Sequence, residues 1–137
     1  MTERPSLLLA SDLAFIASAE DGQMCPSHFD HAAHVRLAWC YLATLPVDEA
    51  SRSMCATLRE FSAKAGAPEK LHITMTTAYV RLIAARERSG PWKRFALRHA
   101  DLLRDGIRPL FVHYTHTRLF SDAARRTYLP PNLLPLP

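Results

Sequence analysis

Four breaks constrain what this chain can fold into. EDG at 20–22, Pro46, GAP at 66–68 and SGP at 89–91 each supply a residue that ends a helix. Between them, apolar residues recur at helical spacing rather than alternating as in strands. The first stretch, from about 6 to 19, carries Leu7, Leu8, Leu9, Leu13, Phe15 and Ile16, with Gly22 at or after its end. The second opens with Ser27 and Asp30, an S-x-x-D variant of the capping box, which predicts a helix from about His28 to Leu45. The third has Asp48 as its capping candidate and Gly66 as its terminator, with Ala50, Met54, Leu58 and Phe61 along its inner stripe. The fourth predicts a helix from about 69 to 88, with Pro68 near its first turn.

Beyond SGP the segments shorten. WKRFALRHA reads as one helix and part of RPLFVHYTHTRLF as another, and Ser121 is placed to cap a final turn. The tail LPPNLLPLP holds too much proline for regular helix and is expected to pack as an extended strap. ITMTTAYV is β-prone in composition, but its flanks and period favour helix. The expected fold is all-α: one domain over 1–137, a compact bundle of about five or six helices with a proline-rich C-terminal tail. The length of 137 residues and 48% hydrophobic content suit one modest core.

Histidines stand out on this frame. In SHFDHAAHVRLAWCYL, rotation by about 100° per residue puts His31, His34, Val35, Ala38, Tyr41 and Leu42 on one stripe, with Arg36 and Cys40 roughly opposite. His72 heads a second stripe with Met75, Thr76, Tyr79 and Ile83. In an antiparallel order, up–down–up, the starts of those two helices meet, which brings His72 to the His31/His34 end. Three imidazoles at one point would suit copper, iron or zinc and leave positions open for water or substrate. Tyr79 or Thr76 would then orient substrate or oxygen. The same histidines also suit metal-free acid–base chemistry, or plain packing with each ring hydrogen-bonded to a carbonyl or hydroxyl. His28 at the helix start and His99 between Arg98 and Asp101 read as surface. His113 and His116 form a second H-x-x-H, read as structural because Phe111, Val112 and Phe120 mark the segment as core-packing.

Other chemistries lack support. Cys25, Cys40 and Cys55 are evenly spread without a CxxC pair, so neither a disulfide framework nor a zinc ribbon is indicated, and a reducing, cytoplasmic setting fits. SLLLASDLAFIASA is interrupted by Asp12 and too short to span a bilayer. The net charge of +4 is modest. The basic run Arg81, Arg86, Arg88, Lys93, Arg94 and Arg98 has Glu87 within it and no aromatic interleaving, so it reads as a solvated face rather than a nucleic-acid surface. No GxGxxG, P-loop, GxSxG or HExxH occurs.

FDHAAHVRLAWCYL, GAPEKLHITMTTAYVRLI and YTHTRLFSDAARRTYLPPNLLPLP together resemble a family of small bacterial helical proteins that has no assigned reaction. Its pattern is F-x-H-x-x-H-[VL], then K-[YF]-H-E-T, then R-L-[FW]-S and P-x-L-x-P-L-P. The resemblance runs from Phe29 onward and places Phe29, His31, His34, Lys70, His72 and Thr74 at motif positions. Where the pattern has Glu after the third histidine, this chain has Ile73. A Glu acting there as ligand or base would be lost, leaving a three-His site, an altered reaction or none.

The functional expectation is a small cytosolic enzyme acting on a small organic molecule through an oxidative or lyase-type reaction. His31, His34 and His72 would hold a transition metal. The alternatives are a metal-free isomerase, cyclase or hydrolase-like enzyme, and a non-enzymatic ligand carrier or accessory protein. Neither nucleic acid nor membrane is an expected partner, and a homodimer is the base-rate assembly.

Overall fold

The computed structural model describes residues 6–137, so the first five residues of the expected domain lie outside it. The fold is all-α. Eight α-helical segments are present among the described residues, because the chain from Trp92 to Arg126 forms four short ones. The helices are α1 (Ala10–Glu20), α2 (His31–Leu42), α3 (Val47–Lys64), α4 (Ile73–Ala84), α5 (Trp92–Arg98), α6 (Ala100–Arg104), α7 (His116–Leu119) and α8 (Asp122–Arg126). Tight 3-10 turns span Pro26–His28, Pro68–Lys70 and Arg108–Val112. The one strand pairing among the described residues is a short parallel clip, β1 (Ser6–Leu7) against β2 (Gly90–Pro91).

The first helix starts later than its apolar run suggests. Ser6 and Leu7 are held in the clip, and the Asp12 carboxylate accepts the Leu9 amide at 2.8 Å, which fixes the helix start at Ala10. Asp12 is only 1% exposed. Arg36 of α2 reaches it at 2.8 Å while lying 4.4 Å from the Phe15 ring centroid. The acidic residue that interrupts the run is therefore the anchor between α1 and α2.

Capping corrects the other boundaries. Asp30, not Ser27, caps α2: its Oδ1 accepts the Ala33 amide at 3.0 Å, and the residues before it form the first 3-10 turn. The helix ends at Leu42, with a turn filling the gap to Pro46. Leu37 through Leu42 are all buried, because α1 covers the side that the periodicity assigns to solvent. Cys40 is accordingly a core residue at 1% exposure, and burial pushes its thiol up to about 12. Pro46 rather than Asp48 caps α3, with Asp48 and Glu49 placed in its first turn, where acidic groups suit the helix dipole. Gly66 at φ 76° turns the chain after α3.

The helix expected over 69–88 is shorter at both ends. Pro68–Lys70 forms a 3-10 turn, His72 caps α4, and α4 stops at Ala84. The next expected helix, over 92–100, ends at Arg98 as α5, and α6 follows it through a joint at His99, whose ring packs 4.6 Å from Phe95. His99 Nδ1 accepts from Arg86 at 3.2 Å and Nε2 donates to the Glu87 carbonyl at 3.0 Å, so it is a half-buried joint, not a surface residue.

Much of the basic run is structural too. Arg86 forks onto Asp101 at 2.8 and 3.1 Å, Arg98 pairs with Glu87, and Arg88 donates to the Leu42 carbonyl. Around α7 the core contribution comes from Leu110, Tyr114 and Leu119, whereas Val112 and Phe120 are 52% and 57% exposed, contrary to the packing expected of them.

Ser121 caps α8 by accepting the Ala124 amide, as its position predicts. The C-terminal residues form a strap without regular helix. Leu133 and Leu134 donate to the carbonyls of His113 and Val112, and the fully buried Thr74 holds the strap's start. Its hydroxyl donates to the Thr127 carbonyl at 2.8 Å and accepts the Leu129 amide at 3.0 Å. No helix among the described residues is long and apolar enough to cross a membrane.

Candidate functional site

The start of α2, the end of α3 and the start of α4 surround one cavity of about 400 Å³. That arrangement is what an antiparallel α2–α3–α4 order requires. His31, His34, His72, Thr76 and Tyr79 all line it. The rest of the wall is mostly apolar: Phe29 and Phe61 meet edge-to-face with centroids 4.5 Å apart, Met54 and Leu58 come from α3, and Met75 comes from α4. The chain following α6 closes another side with Gly106, Ile107 and Leu110. Lys70 stands at the exposed end. A largely apolar cavity of this size with a few polar groups lies within the range of about 300–1,000 Å³ typical of small-molecule sites.

The histidines share the cavity but not one set of bonds. His72 is fully engaged: Nδ1 accepts the Met75 amide at 3.1 Å, and Nε2 donates to the Leu119 carbonyl at 2.8 Å. That pattern fixes a neutral ring with its proton on Nε2 and makes His72 the cap of α4. Burial holds its pKa below the ordinary value, partly offset by the Leu119 carbonyl. His31 donates through Nε2 to the Leu102 carbonyl at 2.7 Å. Its ring meets Tyr79 edge-on at 4.9 Å.

His34 lies edge-on to Phe29 at 4.4 Å. Burial first, and the neighbouring His31 second, push its pKa down to about 4. Asp30 and the Phe29 carbonyl oppose that shift only in part. His34 is therefore a neutral imidazole at physiological pH.

The two hydroxyls expected to orient substrate are also bonded to the main chain. Thr76 donates to the His72 carbonyl at 2.7 Å, and Tyr79 donates to the carbonyls of Gly106 and Leu102. Burial, with Asp101 and Asp105 nearby, raises the Tyr79 phenol, so it stays protonated. Among the described residues, no three His, Cys, Asp or Glu side chains gather closely enough to hold a metal ion. A metal bound through His72 would require it to release either the Met75 amide or the Leu119 carbonyl.

The second H-x-x-H lies elsewhere. His116 is exposed and stacks on Phe111 at 4.1 Å, and His113 bonds through Nδ1 to the Leu134 carbonyl. His28 is exposed, as expected. Sequence reasoning missed the carbonyls of Leu102 and Gly106, which hold His31 and Tyr79 in place. Main-chain oxygens leave no mark in a side-chain pattern. The walls from Met54, Leu58 and Phe61 were visible as an inner stripe, though not as part of a cavity.

Comparisons with protein-family models, curated proteins and solved structures return no match for this chain.

Proposed function

We propose that the chain binds a small, uncharged and largely apolar organic molecule in the cavity between α2, α3 and α4. One observation carries this reading. A cavity of about 400 Å³, walled by Phe29, Phe61, Met54 and Met75, contains imidazoles whose orientations are set by neighbouring main-chain groups. Such preorganised polar groups in an apolar wall fix a ligand's orientation, while the wall supplies most of the affinity. Charged molecules suit it poorly. Among the described residues, no Asp or Glu lines the cavity to balance a cation, and the one lining ammonium, Lys70, stands at the mouth rather than at the base.

A catalytic reading is favoured by His34. A neutral imidazole in a ligand cavity is a proton acceptor. With its pKa near 4 it is a weak base, suited to a substrate proton that becomes acidic on binding. Metal-free proton transfer is therefore the reaction class that follows most directly from the arrangement. The competing proposal, copper, iron or zinc on His31, His34 and His72, needs the His72 bonds rebuilt.

A ligand-observed NMR screen of uncharged fragments tests the binding reading, using the protein beside an Ala38→Leu variant that narrows the cavity. Fragments should bind the parent chain and lose affinity in a variant whose circular dichroism is unchanged. Equal binding to both, or no binding by any fragment, would overturn the reading.

A further inference from the structure

The rings that line the cavity gather at one end of it. Phe29 stands just before α2, His31 and His34 on its first turn, and Phe61 on the last turn of α3. Tyr79 of α4 meets His31 across the space between the helices. The aliphatic wall, with Val35, Leu58 and Ile83, lies farther from that end of the same helices. Each ring is held against another at a steep angle. Phe29 has His34 at 4.4 Å and 75°, and Phe61 at 4.5 Å and 63°. His31 has Tyr79 at 4.9 Å and 79°. In such pairs the positive edge of one ring meets the negative face of the other. Because the planes in each set differ, a flat aromatic ligand meets some of these rings as faces and others as edges. Several rings are fixed before any ligand arrives. Phe29 is buried, and the Tyr79 hydroxyl and His31 Nε2 share the Leu102 carbonyl. Met54 and Met75 add two polarisable thioethers, which make favourable contacts at aromatic ring edges.

We infer that the cavity selects ligands built on an aromatic ring over saturated rings of the same size and polar group, through the rings of Phe29, Phe61, His31 and Tyr79. The inference rests on the proposed ligand site and adds the chemical class of its ligand. Burial alone does not discriminate, because a saturated ring takes at least as much apolar surface out of water. The difference lies in the quadrupole. A saturated ring offers neither a negative face nor a positive edge to the walls, whereas an aromatic ring offers both. The preference holds in either charge state of the imidazoles. A neutral imidazole meets the ligand as another ring, and a protonated one meets its face as a cation.

Benzyl alcohol and cyclohexylmethanol form a suitable pair of probes. They carry the same CH2OH group on a six-membered ring, and the saturated one is the more apolar, so burial alone favours it. Titration of each into the full chain, followed by protein NMR, should give a dissociation constant about tenfold lower for benzyl alcohol. In Phe61→Leu, which keeps an apolar wall but removes one ring, the ratio should fall to about threefold. Equal affinities in the parent chain, tighter binding of cyclohexylmethanol, or an undiminished ratio in Phe61→Leu would overturn the inference while leaving the ligand site standing. The inference also fails if neither alcohol binds although other uncharged fragments do. If no uncharged fragment of any kind binds, the ligand site itself fails, and the inference fails with it.

Discussion

The Nδ1 atom of His72 accepts the amide hydrogen of Met75 at 3.1 Å, closing the first turn of α4 with an imidazole where a Ser, Asp or Asn commonly stands. Its other nitrogen ties that turn to Leu119 at 2.8 Å, forty-seven positions later in the chain. His72→Ala removes both bonds and should cost about 2 kcal/mol in urea unfolding. His72→Asn, which can still cap, should recover part of that loss. Added chelator should leave the melting temperature of the parent chain unchanged. A chelator-induced drop, matched by loss of bound metal in His72→Ala, would instead support the metal proposal.

His34 predicts a pH effect. Its folded pKa of about 4 lies below the ordinary 6.5, so between those values the unfolded chain binds a proton that the folded chain does not. Stability should therefore fall as pH drops from about 6.5 toward 4, and this contribution should level off above 6.5. The depressed His72 adds an effect of the same sign. Urea midpoints across this range should show the fall, with a smaller slope in His34→Gln. Imidazole resonances of His34 titrating near 6.5 would rule out the buried neutral ring.

Thr74 predicts the anchoring of the C-terminal strap. Its hydroxyl bonds both the Thr127 carbonyl and the Leu129 amide, and it is fully buried. Thr74→Val keeps the shape but leaves both main-chain groups unpaired, at a cost of about 2 kcal/mol. Amide exchange should accelerate first at Leu129. Unchanged protection at that residue would show that the strap is held by other contacts.

Asp12 predicts the strength of the joint between α1 and α2. Asp12→Ala removes a cap bond to Leu9 and leaves Arg36 without its partner, a loss of about 3 kcal/mol. Adding Arg36→Ala should cost less than the sum of the two single changes, because no stranded charge remains. Strict additivity in a double-mutant cycle would mean that the two residues do not interact.

The helical class, the central breaks and the shared location of His31, His34 and His72 were legible because period and punctuation are local signals. The starts of α1, α2 and α4 were misplaced because each cap is a local bond made by a residue other than the first candidate in the sequence. Asp30 outcompetes Ser27 once the Pro26 turn forms, and Asp12 pulls the first helix onto Arg36. Cys40 was assigned to the wet side because the covering helix, α1, is distant in the argument of a single-helix wheel. Bonding of the rings to carbonyls was one of the open alternatives, but which carbonyls was not legible. Leu102 and Leu119 contribute oxygen atoms of their main chain, and only the folded path of α6 and α7 brings those atoms to the rings.

Methionine-methyl NMR during an indole titration tests the central claim most directly. Met54 and Met75 line the cavity, whereas Met24 packs on the core outside it. The account predicts saturable shifts of the Met54 and Met75 methyls with the Met24 methyl unmoved. No shift up to the solubility limit of indole, or movement confined to Met24, would contradict it.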